Sequence, residues 1–260
     1  MGRSSSVPAL RRGLGILRLL GRRSGPVSAE VIARELGLPR STTYHLLSEL
    51  VDAGFVTRFP EEHRFGLGSV VLELGAAYVR HEPLERLAGP VLRRLVDEVG
   101  FPAHLGVLRG GELLYLVAEQ PVWPQTLVSG VGVRLPAQLT ASGRSMLAHL
   151  PAAQVRALLP SGDRFVLRTG RGPRDLPQLR RLLAAERRRG WSVEDGFITE
   201  GFASVACPVF DHESYPVAAV GVAFRHECAG PEGCGRTWPE LAERAHRAAA
   251  ELAGRLRGRG

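Results

Sequence analysis

The chain has 260 residues and a formal net charge of +8, with 44% hydrophobic and 23% charged residues. This composition is typical of a soluble globular protein, and the length predicts one large domain or two ordinary ones. No apolar run reaches the roughly 18 residues of a membrane-spanning helix, and the first residues lack a signal-peptide core. We therefore expect a cytoplasmic protein without a membrane partner.

Basic residues concentrate near the N-terminus. Residues 1–80 contain 11 arginines and 7 acidic residues, and the chain has no lysine. Several arginines precede the first acidic residue, Glu30: Arg3, Arg11, Arg12, Arg18, Arg22 and Arg23. This charge pattern favours a polyanionic partner, although a solvated face with a loose N-terminal arm explains it equally well.

Three short amphipathic segments follow one another in residues 10–51. The first, with Leu10, Leu14, Ile16, Leu17 and Leu20, predicts a helix that ends near Gly21. The second begins after a capping Ser28 and ends at Gly37, with Val31, Ile32, Ala33 and Leu36 at helical spacing. The third begins at Arg40 or Ser41, with Thr43, Leu46, Leu47, Leu50 and Val51 on one side. A tight turn between the second and third helices predicts a helix-turn-helix.

The third helix has a polar face where a recognition helix contacts base edges and phosphates. That face carries Arg40, Ser41, Thr42, Tyr44, His45 and Ser48. Residues 55–59 and 63–67 then predict a β-hairpin wing, with Arg58 and Arg64 placed to contact DNA phosphates. The alternative is a winged helix that binds a protein, with these polar residues solvated.

The second half of the chain predicts an α+β domain. Strands are expected at residues 107–108, 113–118, 204–210 and 217–224, and helices at 84–99, 141–150, 175–189 and 239–257. The segment TASGRS, residues 140–145, places Ala141, Ser142 and Gly143 at a helix start. Free backbone N–H groups at such a start favour a carboxylate ligand, and an ordinary capped helix packed on its own sheet is the alternative.

Both halves resemble the IclR family of bacterial transcriptional regulators. The resemblance covers ALRRGLGILRLL, LGLPRSTTYHLLSEL, the wing GFV with HRFGLG, and SVVLELG within residues 8–80. It continues in LRRLVDEVG, RLPAQLTASGRSMLAHL, GWSVEDG and SVACPVFDHESYPVAAVGVAF. The resemblance implies a winged helix-turn-helix DNA-binding domain (1–67), a linker helix (68–82) and a GAF-like α/β effector-binding domain (83–258). This chain differs from the family at Tyr44-His45, where most members have His-Arg.

The resemblance also implies a site for a small organic acid. Its position-by-position correspondence gives Leu127, Leu135, Ala141, Ser142, Glu194, Phe202, Ser204, Gly221 and Ala223 as pocket residues, beside Gly143 from the helix start. Gly221 and Ala223 stand where a relative has hydroxyl side chains, so we expect a roomier, less polar cavity that accepts an aromatic or longer-chain acid. Glu194 opposes an anion unless it faces elsewhere.

Other clusters do not match a catalytic or metal motif. His226, Glu227, Cys228 and Cys234 lack the paired spacing of zinc sites, and an odd cysteine count favours free thiols, with Cys207 packed in a strand. Glu194 and Asp195 near Ser204 could suggest acid-base chemistry, but no nucleophile elbow or phosphate loop accompanies them. We therefore predict no catalytic site, no metal and no cofactor.

The leading hypothesis is a transcriptional regulator, more often a repressor than an activator, that binds double-stranded operator DNA under the control of a small organic acid. A homodimer or dimer of dimers is implied by the family, with Val71, Leu72, Leu74 and Tyr78 of the linker helix packing subunits together. The alternatives are a ligand sensor whose winged helix binds a protein, and a hydrolase with a regulator domain.

Overall fold

A computed structural model describes residues 7–23, 25–81, 83–122, 130–159, 165–226 and 237–257. The chain divides into two compact units, Met1–His81 and Glu82–Gly260. Over the described ranges, no helix is both long and apolar enough to cross a membrane.

The first unit contains three helices and a small antiparallel sheet. The helices are α1 (Pro8–Leu20), α2 (Ala29–Leu36) and α3 (Arg40–Asp52), and the sheet has the order β1 (Val27–Ser28), β3 (Arg64–Leu67), β2 (Val56–Phe59). Ser28 caps α2 as predicted, since its hydroxyl accepts a hydrogen bond from Val31 N at 3.5 Å. Gly37 ends α2 in the left-handed region, with φ 62°.

One side chain from each helix forms the centre of this unit. Ile16, Ile32 and Leu47 are fully buried and belong to one apolar cluster. Thr43 is also buried, and its hydroxyl donates a hydrogen bond to the carbonyl of Pro39 at 3.1 Å. The predicted three-helix arrangement is therefore confirmed, and its packing determines which face of α3 is exposed.

Helix α4 (Ser69–His81) follows the wing, at the position where a linker helix is expected. Leu72 and Leu74 are 77% and 54% exposed in the single chain. The predicted contact of Tyr78 lies outside the side chains that the structure describes. Leu72 and Leu74 are thus two exposed apolar side chains of α4 among the described residues of the first unit.

The second unit is built on a six-stranded antiparallel sheet with the order β6-β5-β4-β9-β8-β7. The strands are β4 (Ala103–Arg109), β5 (Glu112–Glu119), β6 (Arg134–Pro136), β7 (Ser192–Asp195), β8 (Phe202–Phe210) and β9 (Pro216–Arg225). The helices are α5 (Pro83–Val99), α6 (Ala141–Leu147), α7 (Ala152–Leu158), α8 (Leu176–Arg189) and α9 (Thr237–Arg257). The α+β fold class is confirmed.

The sheet separates two kinds of packing. Its outer face carries alternate apolar side chains such as Leu105, Val205 and Val220, which pack with α5 and α9 in one large cluster. Its inner face is covered by α6, and the side chains that alternate with the first set point there. The inner face therefore holds several of the residues that the resemblance assigns to a ligand site, among them Glu194, Ser204, Gly221 and Ala223.

Several short elements differ from the sequence expectation. The strands β1, β6 and β7 and the helix α7 have two to seven residues, too few for a clear periodic signal. Helix α6 ends at Leu147 instead of residue 150, because His149 N and Leu150 N bond three residues back and Pro151 follows. Cys207 is packed in β8 as expected: its thiol donates to Ala242 O at 3.4 Å, and burial raises its pKa to about 12.

The central position of Leu47 leads to a stability prediction. Replacing Leu47 with Ala removes a fully buried side chain, so we expect a loss of about 2–5 kcal/mol in the free energy of opening of α2 and α3. Hydrogen exchange of their amides in the full chain measures this loss. The control Leu14→Ala, at an exposed position of α1, changes it by less than about 0.5 kcal/mol. Equal effects of the two substitutions would contradict this packing.

Candidate functional site

The polar face of α3 is open to solvent. Arg40, Ser41, Tyr44, His45 and Ser48 are exposed and Thr42 is partly exposed, whereas Thr43 and Leu47 turn inward. No side chain caps the N-terminus of α3, and its first turn contains no acidic residue. The predicted contact residues on α3 therefore lie together, beside helix N–H groups that can bind a phosphate.

Arg40 already forms an ion pair with Glu30. Its Nη2 lies 2.8 Å from Oε1 of Glu30 in α2, and both side chains are exposed. A hydrogen bond from the Glu30 backbone N–H and the Arg40 guanidinium lower the pKa of the Glu30 carboxyl. An exposed pair of this kind is weakly held. Arg40 must exchange a carboxylate for a phosphate if it contacts DNA.

The two arginines of the wing point in different directions. Arg58 is opposite Phe65 in the strand register, and Arg64 is opposite Phe59. Side chains alternate along a strand, so Arg58 shares the face of the buried Phe65 and Arg64 extends from the other face. Arg64 lines a surface groove of about 380 Å³ together with Arg23, which adds a basic residue to this side of the unit.

The second candidate site begins with a row of residues across three strands. Glu194 in β7 pairs with Ser204 in β8, which pairs with Ala223 in β9. In the next row, Gly221 of β9 pairs with His104 of β4. All five positions lie on the inner face of the sheet, so the structure brings together four of the predicted pocket residues, Glu194, Ser204, Gly221 and Ala223, beside His104.

Glu194 faces this site and does not point elsewhere. Its Oε1 accepts hydrogen bonds from Phe197 N at 2.6 Å and Ile198 N at 3.0 Å, and its Oε2 accepts one from Ser204 Oγ at 3.2 Å. Burial raises the pKa of Glu194, and these hydrogen bonds act in the opposite direction. The carboxyl group therefore anchors the turn after β7 and forms one wall of the site.

The start of α6 is closely packed against the turn before it and against the sheet. Thr140 caps α6, since its Oγ1 accepts a hydrogen bond from Gly143 N at 3.0 Å, as in an ordinary capped helix start. A Cβ on Gly143 would lie 2.3 Å from Ala137 O, so the close approach of these two segments requires a glycine here. A Cβ on Gly221 would lie 2.7 Å from Ser142 Oγ. The space expected at Gly221 is therefore filled by Ser142, and the site is not roomier there.

A buried arginine places α6 against the sheet. Arg144 is fully buried, and its Nε donates to both carboxylate oxygens of Glu186 in α8, at 3.1 and 3.2 Å. Its other nitrogens donate to the carbonyls of Gln138 and Leu139, each at 3.1 Å, and of Val193 in β7. One side chain thus connects α6, the preceding turn, α8 and β7.

Glu186 completes this buried cluster. Its Oε2 accepts a hydrogen bond from Ser192 Oγ at 2.9 Å, and its Oε1 accepts one from Val193 N at 3.2 Å. Sequence analysis missed the pair of Arg144 and Glu186. The available signal was a lone arginine between small and apolar residues in TASGRSML.

Two further polar residues of the inner face were missed. His104 and Tyr115 are 3% and 5% exposed, and their rings pack edge to face with centroids 5.0 Å apart. Burial lowers the pKa of His104 to about 4, so the imidazole is neutral near pH 7. With Ser142, Ser204 and Glu194, these side chains contradict the expectation of a less polar site.

The remaining predicted residues lie around this centre. Leu135 of β6 is buried in a cluster with Tyr115, and Ala141 is buried at the start of α6. Phe202 is partly exposed at the beginning of β8, with the Arg225 guanidinium 5.8 Å from its ring centroid. Leu127 lies outside the described residues.

The sequence analysis predicted that the residues after β9 do not form a zinc site. His226 Nδ1 lies 2.9 Å from Asp195 Oδ1, and its ring packs edge-on against Trp238. Glu227, Cys228 and Cys234 lie outside the described residues. Within the described part of the chain, no group of three or more His, Cys, Asp or Glu side chains could hold a metal ion.

Comparisons with known proteins cover nearly the whole chain. Residues 9–60 match the family described as "IclR helix-turn-helix domain", and residues 76–252 match "Bacterial transcriptional regulator IclR C-terminal". The chain is 34% identical over 222 residues to the "Uncharacterized HTH-type transcriptional regulator RhmR" of Escherichia coli (strain K12), covering 84% of this chain and 83% of that protein. It is 27% identical over 224 residues to the "Transcriptional repressor IclR" of the same organism, covering 85% and 81%.

A solved structure gives the same result. An IclR homolog from Microbacterium hydrocarbonoxydans, complexed with 4-hydroxybenzoate, superposes with a TM-score of 0.80 at 25% identity, covering 96% of this chain and 99% of that chain. These similar proteins are transcriptional regulators and not enzymes.

The buried pair of Arg144 and Glu186 predicts a strongly non-additive response to substitution. Arg144→Met leaves the Glu186 carboxylate buried without its guanidinium, so we expect a loss of about 3–5 kcal/mol in the free energy of unfolding. The double variant Arg144→Met/Glu186→Met is less destabilised than the single one, because no unpaired charge remains. Denaturant titration followed by tryptophan fluorescence compares them. Losses that simply add would contradict this assignment.

Proposed function

Since the chain belongs to the IclR family of bacterial transcriptional regulators, we propose that residues 1–67 bind operator DNA through α3 and the wing, that residues 68–82 form a linker, and that residues 83–258 bind a small organic acid. The observation that carries the DNA-binding part is the exposed polar face of α3, next to an N-terminus without a side-chain cap.

Base recognition is assigned to the N-terminal half of α3. Ser41, Thr42, Tyr44 and His45 can donate or accept hydrogen bonds at base edges. Tyr44 and His45 supply a combination that differs from the common His-Arg, so this chain has its own operator preference. The positive charge is assigned to phosphate contacts, from Arg40 after release of Glu30 and from Arg58 and Arg64 on the two faces of the wing.

A homodimer or a dimer of dimers is the proposed assembly. The exposed side chains of Leu72 and Leu74 on α4 support this proposal, because a second copy would remove them from water. A two-fold arrangement of winged helices matches an operator with two half-sites. Repression is the proposed mode of regulation, and the similarity of this chain to the E. coli transcriptional repressor IclR supports it. The proposed compartment is the cytoplasm, where operator DNA is accessible.

The contribution of the wing is tested by binding to the intergenic DNA beside the chain's own gene. We expect Arg64→Gln to weaken binding about equally on all sequences and to reduce the slope of log K against log salt by about 0.9, because one phosphate contact is lost. Gel shift or fluorescence anisotropy over a salt series measures both effects. Arg134→Gln, a surface substitution in the second unit, is the control and leaves the slope unchanged.

A protein–DNA complex whose affinity does not change with salt concentration would contradict DNA binding through phosphates. An unchanged slope for Arg64→Gln, with wild-type DNA binding intact, would remove Arg64 from the interface and leave the assignment of α3 standing.

The effector proposal is supported by the buried polar inner face and by the 4-hydroxybenzoate complex of the homolog. A panel of aliphatic and aromatic carboxylic acids tests it by calorimetric titration and thermal unfolding. An acid that binds the folded chain stabilises it by about 2.7 kcal/mol at one hundred times its Kd. We expect an aromatic or longer-chain acid to do so and to change the affinity for DNA. Binding of two- and three-carbon acids alone would contradict this choice of ligand.

A further inference from the structure

We propose that helix α8 of the second unit carries a second DNA-binding surface, which contacts phosphates outside the bases that α3 reads. The surface consists of four arginines and is called the α8 arginine face: Arg180, Arg181, Arg187 and Arg188. This inference rests on the proposed DNA binding by the first unit and extends the contact with DNA to the effector-binding unit. Neither the basic residues near the N-terminus nor the predicted recognition residues include these arginines.

The packing of α8 turns all four arginines to solvent. The buried residues of the helix, which face the body of the unit, are Leu179, Leu183 and Glu186. The four arginines are exposed, and the exposed Ala184 and Ala185 lie between the two ends of the face. Members that are seven residues apart lie on the same side of a helix, so the arginines form two rows of two. The four side chains therefore border a strip of small residues that a partner can approach closely.

No acidic side chain neutralises the α8 arginine face. Asp175 accepts hydrogen bonds from the backbone and side-chain N–H groups of Gln178, at 2.7 and 3.2 Å, and so caps the N-terminus of α8. Glu186 is buried against Arg144. The positions three and four residues from each arginine of the face contain no acidic residue. Among the residues that the structure describes, no carboxylate forms an ion pair with these four arginines.

Four exposed arginines of α5 and α9 behave differently, because each forms an ion pair with a glutamate at 2.6–3.2 Å. These pairs are Arg94–Glu251, Arg255–Glu251, Arg244–Glu98 and Arg247–Glu243. Exposure to solvent therefore does not by itself explain why α8 lacks acidic partners. The helix dipole favours cations in the last turn, where Arg187 and Arg188 lie, but Arg180 and Arg181 lie in the first half of α8. A polyanionic partner accounts for all four arginines.

The charge and spacing of the face fit a DNA backbone. Guanidinium groups bind phosphates through two parallel hydrogen bonds, and a surface of one sign attracts a polyanion. Arg180 and Arg187 are seven residues apart, which is about 10 Å along a helix that rises about 1.5 Å per residue. A DNA strand carries one phosphate in about 3.4 Å of its axis, so the face spans about three phosphates. A second copy of the same face cannot cover it, because like charges repel.

DNA is favoured over an acidic protein because the same chain is proposed to hold DNA through α3. Once the operator is bound, a second surface of the same chain meets flanking DNA at a high effective concentration, so weak phosphate contacts are sufficient. Phosphate contacts carry no sequence information, and the face therefore adds affinity without changing the operator preference. Arg189 is not part of the face, since its guanidinium stacks 3.9 Å from the Trp191 ring centroid and its Nε donates to the Trp191 carbonyl.

Two matched variants of the full-length chain test the proposal, and each loses four positive charges. The test variant combines Arg180→Gln, Arg181→Gln, Arg187→Gln and Arg188→Gln. The control variant combines Arg94→Gln, Arg244→Gln, Arg247→Gln and Arg255→Gln, at arginines that are already ion-paired. Fluorescence anisotropy over a salt series measures binding to the intergenic DNA beside the chain's own gene and to a scrambled duplex of the same length.

We expect the test variant to bind both duplexes about tenfold or more weakly. The slope of log K against log salt falls by about 2 or more, because each lost phosphate contact reduces it by about 0.9. The control variant changes the slope by less than about 0.5, since its arginines contact no phosphate. Circular dichroism and thermal unfolding verify that both variants are folded, and size-exclusion chromatography compares their oligomeric states.

Photo-crosslinking tests the contact without removing any charge. We expect p-benzoylphenylalanine in place of Ala184, in the centre of the α8 arginine face, to crosslink to the intergenic duplex. The same photoreactive residue in place of Ala250, an exposed position of α9, is the control and does not crosslink.

The outcomes distinguish this inference from the proposed function. Equal salt slopes of the two charge variants, or no crosslink from position 184, overturn the inference, and DNA binding by the first unit stands if Arg64→Gln still reduces the slope. An altered oligomeric state of the test variant with an unchanged slope also overturns it and indicates that the face binds an acidic protein surface. If the wild-type chain binds neither duplex, the proposed DNA binding fails and the inference fails with it.

Discussion

The second unit depends on one buried ionic contact, that between Arg144 and Glu186. A buried charge without a partner is strongly destabilising, so each member requires the other and the hydrogen bonds that surround them. Because Arg144 also donates to carbonyls before α6 and in β7, this contact determines where a seven-residue helix lies over the sheet. Ser142 is thereby brought against Gly221, and the inner face is closed at that point.

The same contact determines the chemistry of the inner face. An arginine near a candidate carboxylate site would ordinarily be its binding partner, but this one is engaged by Glu186. The face that remains carries the neutral His104, Tyr115 and Ser142 and the anchored carboxyl group of Glu194.

The first unit follows a different principle. Its apolar core is central and its polar groups are exposed, so the candidate DNA-binding residues are largely free to meet a partner. Arg40 and Glu30 form an exposed ion pair on this surface. Because exposed pairs contribute little to stability, Arg40 can leave Glu30 and contact a phosphate at small cost. Helix α4 adds two exposed leucines, Leu72 and Leu74, to this unit.

The sequence by itself determined the elements with a clear period or a clear end signal. Helices α1 to α3, the wing and the long strands β8 and β9 were predictable, because Ser28, Gly37 and the alternating apolar residues act over a few neighbouring positions. The family and the DNA-binding module could also be identified from local motifs. The tertiary structure alone decided which polar residues meet on the inner face. Arg144 and Glu186 are 42 residues apart, and the strand of His104 lies far along the chain from that of Gly221. Such contacts depend on strand order and helix placement, which no local pattern specifies.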